Sequence, residues 1–138
     1  MAQPGDPFGG IFAGRQVLLT GHSGFKGGWL ALWLDRLGAH VRGVSLAPAT
    51  DPALFDLAGV AQSCDSRFAD INDPAALNAA AAGFEPALII HMAAQAIVRD
   101  SYDFPVQTFA TNVMGTAHVL ELARQSTSVR GVVVVTSD

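Results

Sequence analysis

Short apolar runs alternate along the chain with longer segments in which apolar residues recur every three or four positions. The runs at residues 17–19, 40–46, 87–91 and 132–135 are typical of strands buried in a parallel sheet. A brief further strand is predicted around residues 67–68. The pattern therefore predicts five strands.

The segments between these strands carry helical spacing and helix end signals. Asp51 and Asp73 each precede a proline, which predicts an N-cap followed by proline at the first helical position. Gly38 and Gly83 stand where helices are expected to end. Helices are predicted over residues 25–37, 51–58, 73–82 and 105–124.

Strands that alternate with helices predict an α/β fold of the Rossmann-like type, a doubly wound parallel sheet with right-handed crossovers and strand order 3-2-1-4-5. We expect one domain over residues 15–138. Residues 1–14, rich in glycine and proline, are expected to form a flexible lead-in. The sequence stops after the fifth predicted strand, at the sheet edge where ligands bind, so we expect it to be the N-terminal portion of a larger enzyme.

Composition narrows the class of partner. The 138 residues are 50% apolar and 14% charged, which favours a packed globular chain. A net charge of −4 without a basic run argues against nucleic acid or a membrane surface and favours a small substrate. Cys64 is the single cysteine, so neither an intrachain disulfide nor a cysteine zinc site is expected, and no metal site is predicted. With no signal peptide pattern, a cytoplasmic location is expected.

A glycine-rich turn joins the first strand to the first helix. Gly21, Gly24 and Gly27 form a G-x-x-G-x-x-G pattern, in which Gly21 permits a tight turn and Gly24 lets a pyrophosphate approach the backbone. Gly27 lets the helix lie close to the sheet. The alternative is a turn that only connects the two elements. No Gly-Lys-Ser or Gly-Lys-Thr follows, which excludes a P-loop.

The end of the second strand bears on the choice between NAD and NADP. Nicotinamide dinucleotide enzymes often carry an acid there, where this chain has Ser45. Without that carboxylate a 2′-phosphate is not repelled, and the nearby Arg42 leaves NADP open beside NAD.

Three segments together resemble the extended short-chain dehydrogenase/reductases: TGHSGFKGGWL at residues 20–30, HMAAQ at residues 91–95 and TNVMGT at residues 111–116. His22 and the Phe25-Lys26-Gly27 version of the turn are more narrowly similar to the CDP-glucose 4,6-dehydratase branch of that family. The resemblance extends from residue 16 to residue 138.

The resemblance implies a dinucleotide site along the carboxyl edge of the sheet, built from Gly21, Gly24, Phe25, Lys26, Gly27, Ser45, Asp70, Ile71, His91, Ala93, Ala94 and Gln95. Asp70 and Ile71 would hold the adenine, although a turn before a helix capped by Asp73 is an alternative. Ala93 and Ala94 could equally be core packing.

The resemblance also implies catalytic and substrate-binding residues. Asn112 would support the active site, Ser137 would bond the reacting sugar hydroxyl, and Asp138 would be the acid near C6. The alternatives are a solvent-facing helix position for Asn112 and ordinary strand-end residues for the other two. The looser assignments, in the segment before the long helix, are Arg99, Ser101 and Tyr102.

The implied reaction is conversion of CDP-glucose to CDP-4-keto-6-deoxyglucose and water with tightly held NAD. The family also uses a Tyr-x-x-x-Lys pair, which these residues lack: Tyr102 is the single tyrosine, and Lys26 is the single lysine. We therefore expect the 138 residues alone to turn over no substrate. Steady release of the 4-keto product from them would refute this.

Two alternatives stay open, a non-catalytic NAD(P)-binding module and a sister-branch sugar-nucleotide epimerase or dehydratase. Family members pair through their long helices, so a homodimer is implied. An uncovered apolar face along residues 109–123 would favour self-association.

Overall fold

The computed structural model describes residues 6–136, which form a five-stranded parallel sheet with helices on both faces. Strand order is β3-β2-β1-β4-β5, which confirms the predicted topology. The strands are β1 (Gln16–Thr20), β2 (His40–Ser45), β3 (Asp65–Phe68), β4 (Leu88–His91) and β5 (Gly131–Val134).

Helices lie in all four predicted segments, and a further short helix (Val98–Asp103) forms where a loop was expected. They are α1 (Phe25–Arg36), α2 (Leu54–Leu57), α3 (Pro74–Ala81), α4 (Val98–Asp103), α5 (Pro105–Phe109) and α6 (Thr116–Gln125). A π-helical segment, Ala110–Gly115, joins α5 to α6, so the predicted long helix has one wide turn in its middle. None of the described helices is long and apolar enough to cross a bilayer.

The buried core has two layers because side chains alternate across each strand. Val17 and Leu19 of β1 pack with α1 on one face of the sheet. Leu18 of β1 and Ile89 of β4 pack with Leu77 of α3 and Val119 of α6 on the other. The sheet is therefore covered on both faces, as a parallel sheet requires.

Parallel register brings four strand ends to one edge. Thr20 pairs with Val44 of β2 on one side and with His91 of β4 on the other, while Ser45 pairs with Phe68. Polar residues that end separate strands thereby become neighbours.

Asp73 caps α3, as predicted, and its carboxylate accepts hydrogen bonds from the amides of Ala75 and Ala76. The predicted cap at Asp51 is wrong. Helix α2 begins at Leu54 after Ala53, and no side chain caps it.

Residues 7–14 form a series of turns. The Asp6 carboxylate accepts hydrogen bonds from the amides of Phe8 and Gly10, and the Phe8 ring lies 5.5 Å from that of Trp33 on α1. Flexibility of the lead-in stays a prediction.

Arg42 is buried within β2, with 8% of its surface exposed. Its guanidinium donates to Asp65 and to the carbonyls of Ala80 and Ala82, and it lies 4.6 Å from the centre of the Phe84 ring. These contacts close the C-terminal end of α3. The ligand edge lies at the N-terminal end of α3, whereas Arg42 binds carbonyls at its C-terminal end. The interpretation that Arg42 could reach a 2′-phosphate is therefore wrong.

A buried glycine allows the π-helical segment to lie against the loop before α3. A Cβ on Gly115 would stand 2.5 Å from Cδ1 of Ile71. We expect Gly115→Ala to lower the free energy of unfolding by about 1 to 2 kcal/mol, because overpacking outweighs the gain in helix propensity. Urea denaturation measures this change.

Gly131→Ala is the matched control, since a Cβ there meets Leu88 at an ordinary 3.5 Å. Ile71→Val removes the clashing Cδ1, so the double variant with Gly115→Ala should lose less stability than the sum of the two single changes. Strict additivity would contradict the proposed contact.

Candidate functional site

The glycine turn folds tightly over the end of β1. Gly21 has φ +82°, and a Cβ on it would lie 2.8 Å from the amide nitrogen of Ala93 in the loop after β4. A Cβ on Gly27 would overlap the carbonyl oxygen of Gly21. The turn therefore needs glycine at both positions, and the first turn of α1 lies directly against it.

The start of α1 is open to an anion. Gly24 is the N-cap residue, no side chain caps the helix, and its first turn has no acidic residue. A Cβ on Gly24 would meet only ordinary contact, 3.4 Å from the Gly21 carbonyl oxygen, so the space above it is free. Phe25 and Lys26 are exposed beside this space. Backbone amides at a helix N-terminus without a side-chain cap fit a pyrophosphate.

His22 fills the space between the turn and strands β2 and β3. Its Nε2 lies 2.6 Å from the Ser66 hydroxyl and its Nδ1 lies 3.1 Å from the Ser45 hydroxyl. The ring is stacked with Phe68 and is fully buried. A Cβ on Gly43 would overlap this ring, so glycine in the middle of β2 is what admits the histidine.

The hydroxyl of Ser45 is engaged within the protein. It bonds the Ser23 hydroxyl at 2.8 Å and lies 3.0 Å from the Leu46 carbonyl, besides its contact with His22. In the described geometry Ser45 fixes the end of β2 and the glycine turn relative to each other.

His91 forms a second buried polar cluster on the other face of the sheet. Its Nδ1 lies 2.6 Å from the Thr20 hydroxyl, and its Nε2 lies 2.9 Å from the Thr116 hydroxyl. Burial lowers the pKa of His91, so the ring is neutral near pH 7. Both ring nitrogens are bonded within the protein, and the dinucleotide contact expected of His91 stays a prediction.

Asn112 holds the loop after β4 against the π-helical segment. Its Oδ1 accepts from the Gln95 amide at 2.8 Å, and its Nδ2 donates to the Gln95 carbonyl at 3.0 Å. The Gln95 side chain donates in turn to the Ile97 carbonyl. Asn112 is exposed, as in the solvent-facing alternative, yet both polar groups of its side chain bond the loop that carries Ala93 and Ala94 and fix that loop at one end.

Asp70 and Ile71 lie after β3 at the same edge. The Asp70 carboxylate accepts from the Asn72 amide at 2.9 Å, which makes a local turn before the helix that Asp73 caps. The Ile71 side chain is buried in the core, and its carbonyl accepts from the His118 ring at 2.7 Å. Asp70 and Ile71 therefore form the predicted turn before α3 and also lie at the carboxyl edge of the sheet. Adenine binding by these residues stays a prediction.

The remaining candidates fall into two groups. Arg99, Ser101 and Tyr102 lie on the short helix α4, where a loop was expected, and Tyr102 is largely exposed. Ser137 and Asp138 lie outside the described residues.

Sequence reasoning missed the residues that build the two buried clusters. Gly43, Ser66, Thr20 and Thr116 were not singled out, and His22 was noted only for the resemblance. A glycine inside an otherwise apolar strand signals close approach by another group, so Gly43 was the available sign of the buried His22. Among residues 6–136 no group of histidine, cysteine and acidic residues could hold a metal ion.

The buried His22 should make stability depend on pH. Burial lowers its pKa from 6.5 to about 4. Between those values the unfolded chain binds more protons than the folded chain, so the free energy of unfolding falls as pH decreases. From pH 7 to pH 5 we expect a loss of about 2 kcal/mol from this group, measured by urea denaturation.

His22→Gln should flatten this dependence even if it lowers stability at pH 7. His40→Asn is the control, because His40 is exposed at the start of β2 and its replacement should leave the slope unchanged. Equal slopes in the wild type and the His22 variant would refute the assignment.

Comparison with known proteins places these features in one family. The family model described as GDP-mannose 4,6 dehydratase matches residues 18–138. The CDP-glucose 4,6-dehydratase of Salmonella typhimurium is 46% identical over 128 residues, covering 93% of this chain and 36% of that protein. A probable dTDP-glucose 4,6-dehydratase of Sinorhizobium fredii is 37% identical over 112 residues, covering 80% of this chain and 32% of that protein.

Solved structures agree. The UDP-glucose-4-epimerase of Stenotrophomonas maltophila, with bound NAD and formylated UDP-arabinopyranose, is 26% identical with a TM-score of 0.74, covering 89% of this chain and 37% of that one. This chain spans about a third of the length of these relatives. Together with the glycine turn and the strand order, the family match identifies the chain as a member of the GDP-mannose 4,6-dehydratase family, within the extended short-chain dehydrogenase/reductases.

Proposed function

We propose that this chain binds the dinucleotide cofactor of a sugar-nucleotide 4,6-dehydratase that acts on CDP-glucose. The observation that carries the proposal is the start of α1, where Gly24 leaves open space over backbone amides that no side chain caps. The 46% identity to a CDP-glucose 4,6-dehydratase supports the choice of substrate.

In the proposed complex the pyrophosphate lies over Gly24, between the turn and the first amides of α1. The exposed Lys26 adds a positive charge beside it. A bound nicotinamide would supply the hydride acceptor for oxidation at sugar C4 and the hydride donor for reduction at C6, around the loss of water. The proposed roles of Ser137 and Asp138 are to bond the reacting hydroxyl and to move a proton near C6.

The cofactor we propose is NAD. Arg42, the cation that the sequence brought near the end of β2, is committed to Asp65 and to the carbonyls at the end of α3. Its Nε and Nη1 are therefore directed to the C-terminal end of α3 and not to a 2′-phosphate. Bound NAD in the related epimerase structure supports the same choice.

Adenine in this complex lies near Asp70, at the turn before α3. The loop carrying Ala93, Ala94 and Gln95, which Asn112 holds in place, would line the dinucleotide from the β4 side. Small side chains in that loop suit close approach of the cofactor.

We also propose a homodimer of the complete enzyme, formed through the long helix. Large apolar side chains on this helix are exposed in the described chain, among them Phe109, Val113, Met114 and Leu120. A second copy that covers them would remove a large apolar patch from water.

Cofactor binding is testable on the chain itself. Isothermal titration should detect binding of NAD. NADP should bind at least about ten-fold more weakly, because Arg42 is committed elsewhere and does not pair with the added phosphate. Gly24→Ala should weaken NAD binding by about ten-fold or more, since its methyl group enters the space proposed for the pyrophosphate.

Gly24 has φ −78°, so alanine fits the backbone and Gly24→Ala should fold with near wild-type stability. Gly131→Ala, on the edge strand β5, controls for a glycine replacement away from the site. Equal NAD affinity in all three proteins would remove the pyrophosphate assignment.

Substrate choice is tested with the full-length product of the gene. With NAD present, CDP-glucose should give a 4-keto-6-deoxy product faster than dTDP-glucose or GDP-mannose do, as followed by mass spectrometry. Inversion at C4 without loss of water would assign the chain to an epimerase instead.

A further inference from the structure

The hydrogen bonds around Thr20 fix the direction of its hydroxyl proton. Its Oγ1 receives the amide of Ala93 at 3.1 Å and shares the amide of Met92, which lies 3.0 Å from Oγ1 and 3.2 Å from the Thr20 carbonyl oxygen. Backbone amides can only donate, so both are directed at lone pairs of the hydroxyl oxygen. We therefore assign the third contact, to Nδ1 of His91 at 2.6 Å, as a hydrogen bond that the hydroxyl donates.

This direction determines the state of the His91 ring. Nδ1 accepts the Thr20 proton and therefore carries none itself. A neutral imidazole has one N–H, which must lie on Nε2. That N–H points at the Thr116 hydroxyl, 2.9 Å away, and Thr116 in turn donates to the backbone carbonyl of Asn112 at 2.7 Å.

We propose that His91 is held as the Nε2–H tautomer in a chain of hydrogen bonds that all run in the same direction. His91 is thereby the positioning residue that sets the loop after β4 relative to the π-helical segment. The chain starts at the amides of Met92 and Ala93, passes through Thr20, His91 and Thr116, and ends at the Asn112 carbonyl.

The geometry gives this chain of hydrogen bonds a mechanical role. It begins at the loop residue Ala93, whose amide lies against Gly21 of the glycine turn. Its last member, Asn112, holds Gln95 of the same loop through two further hydrogen bonds. The loop is therefore fixed at both ends, and His91 joins the two attachments across the sheet edge.

Reversing the tautomer would break the chain of hydrogen bonds at two places. An Nδ1–H would face the Thr20 oxygen, which already accepts from the amides of Met92 and Ala93, and the Thr20 proton would lose Nδ1 as its acceptor. Nε2 would become an acceptor, and Thr116 would have to release the Asn112 carbonyl to donate to it. With His91 2% exposed, water does not repair either loss.

The link to cofactor affinity rests on the proposed function, whereas the tautomer does not. The tautomer is therefore measured first, on the unliganded chain, by long-range ¹H–¹⁵N correlation of the histidine rings at pH 7. We expect the His91 pattern to be that of a neutral ring protonated on Nε2. Thr116→Val assigns it, because losing the acceptor moves the Nε2 resonance of this ring. A ring protonated on Nδ1, or on both nitrogens, would overturn the proposal.

The positioning role is tested with Thr116→Val, Thr116→Ser and Thr127→Val. In the unliganded protein, Thr116→Val should shift the Gln95 amide resonance from its wild-type position, and Thr116→Ser should restore that position. Thr127→Val, a matched change at an exposed loop position, should leave the resonance unshifted. An unmoved Gln95 resonance in Thr116→Val would overturn the positioning role.

For NAD we expect about five-fold weaker binding to Thr116→Val and wild-type affinity for Thr116→Ser, the effect of losing one hydrogen bond. Wild-type chain that binds no dinucleotide, yet shows the expected tautomer and Gln95 shift, would refute the proposed function and leave the positioning role intact. Equal NAD affinity in wild type and Thr116→Val would overturn the link between this chain of bonds and the cofactor site.

Discussion

The contact between the Gly21 carbonyl and Gly27 determines how closely α1 approaches the end of β1. Any side chain at residue 27 would overlap that carbonyl oxygen, so the helix can start where it does only with glycine there. The same turn brings Gly21 against the Ala93 amide of the loop after β4. Two loops of the sheet edge and one helix N-terminus thus converge through backbone contacts.

Polar residues behind these loops hold them in place. One cluster, around His22, joins the glycine turn to β2 and β3, and the other, around His91, joins β1 and β4 to the long helix. Both histidines are buried, and burial lowers both pKa values, so both clusters depend on neutral rings. A satisfied polar network of this kind specifies one arrangement more sharply than apolar packing does.

Much of the fold could be predicted because local signals agree with the global topology. Four apolar runs and one brief further strand predict the five strands in the right order, and Asp73 with its proline marks the start of α3. Asp51 carries the same signal and caps nothing, since α2 starts three residues later, at Leu54. Spacing along the sequence could not reveal that the donors of Arg42 are taken by carbonyls about forty residues away.

The site was predictable to a similar degree. The glycine turn carries its own pattern, and Asn112 was reached through the family resemblance. The hydroxyl partners of the two histidines come from strands and helices that only the folded sheet brings together, so no local pattern announces them. Cofactor contacts themselves stay predictions.

The π-helical segment Ala110–Gly115 has a consequence for how chain length can vary in this fold. One residue of an α-helix corresponds to about 100° of rotation, so losing a residue within α6 would turn Val119 away from the sheet. A π turn already contains one residue more than an α turn, so a deletion there restores the regular helix and keeps both halves in phase. A one-residue deletion in this segment should therefore disturb the packing of α6 less than a deletion within α6 would, although the segment also carries Asn112, which bonds the Gln95 amide.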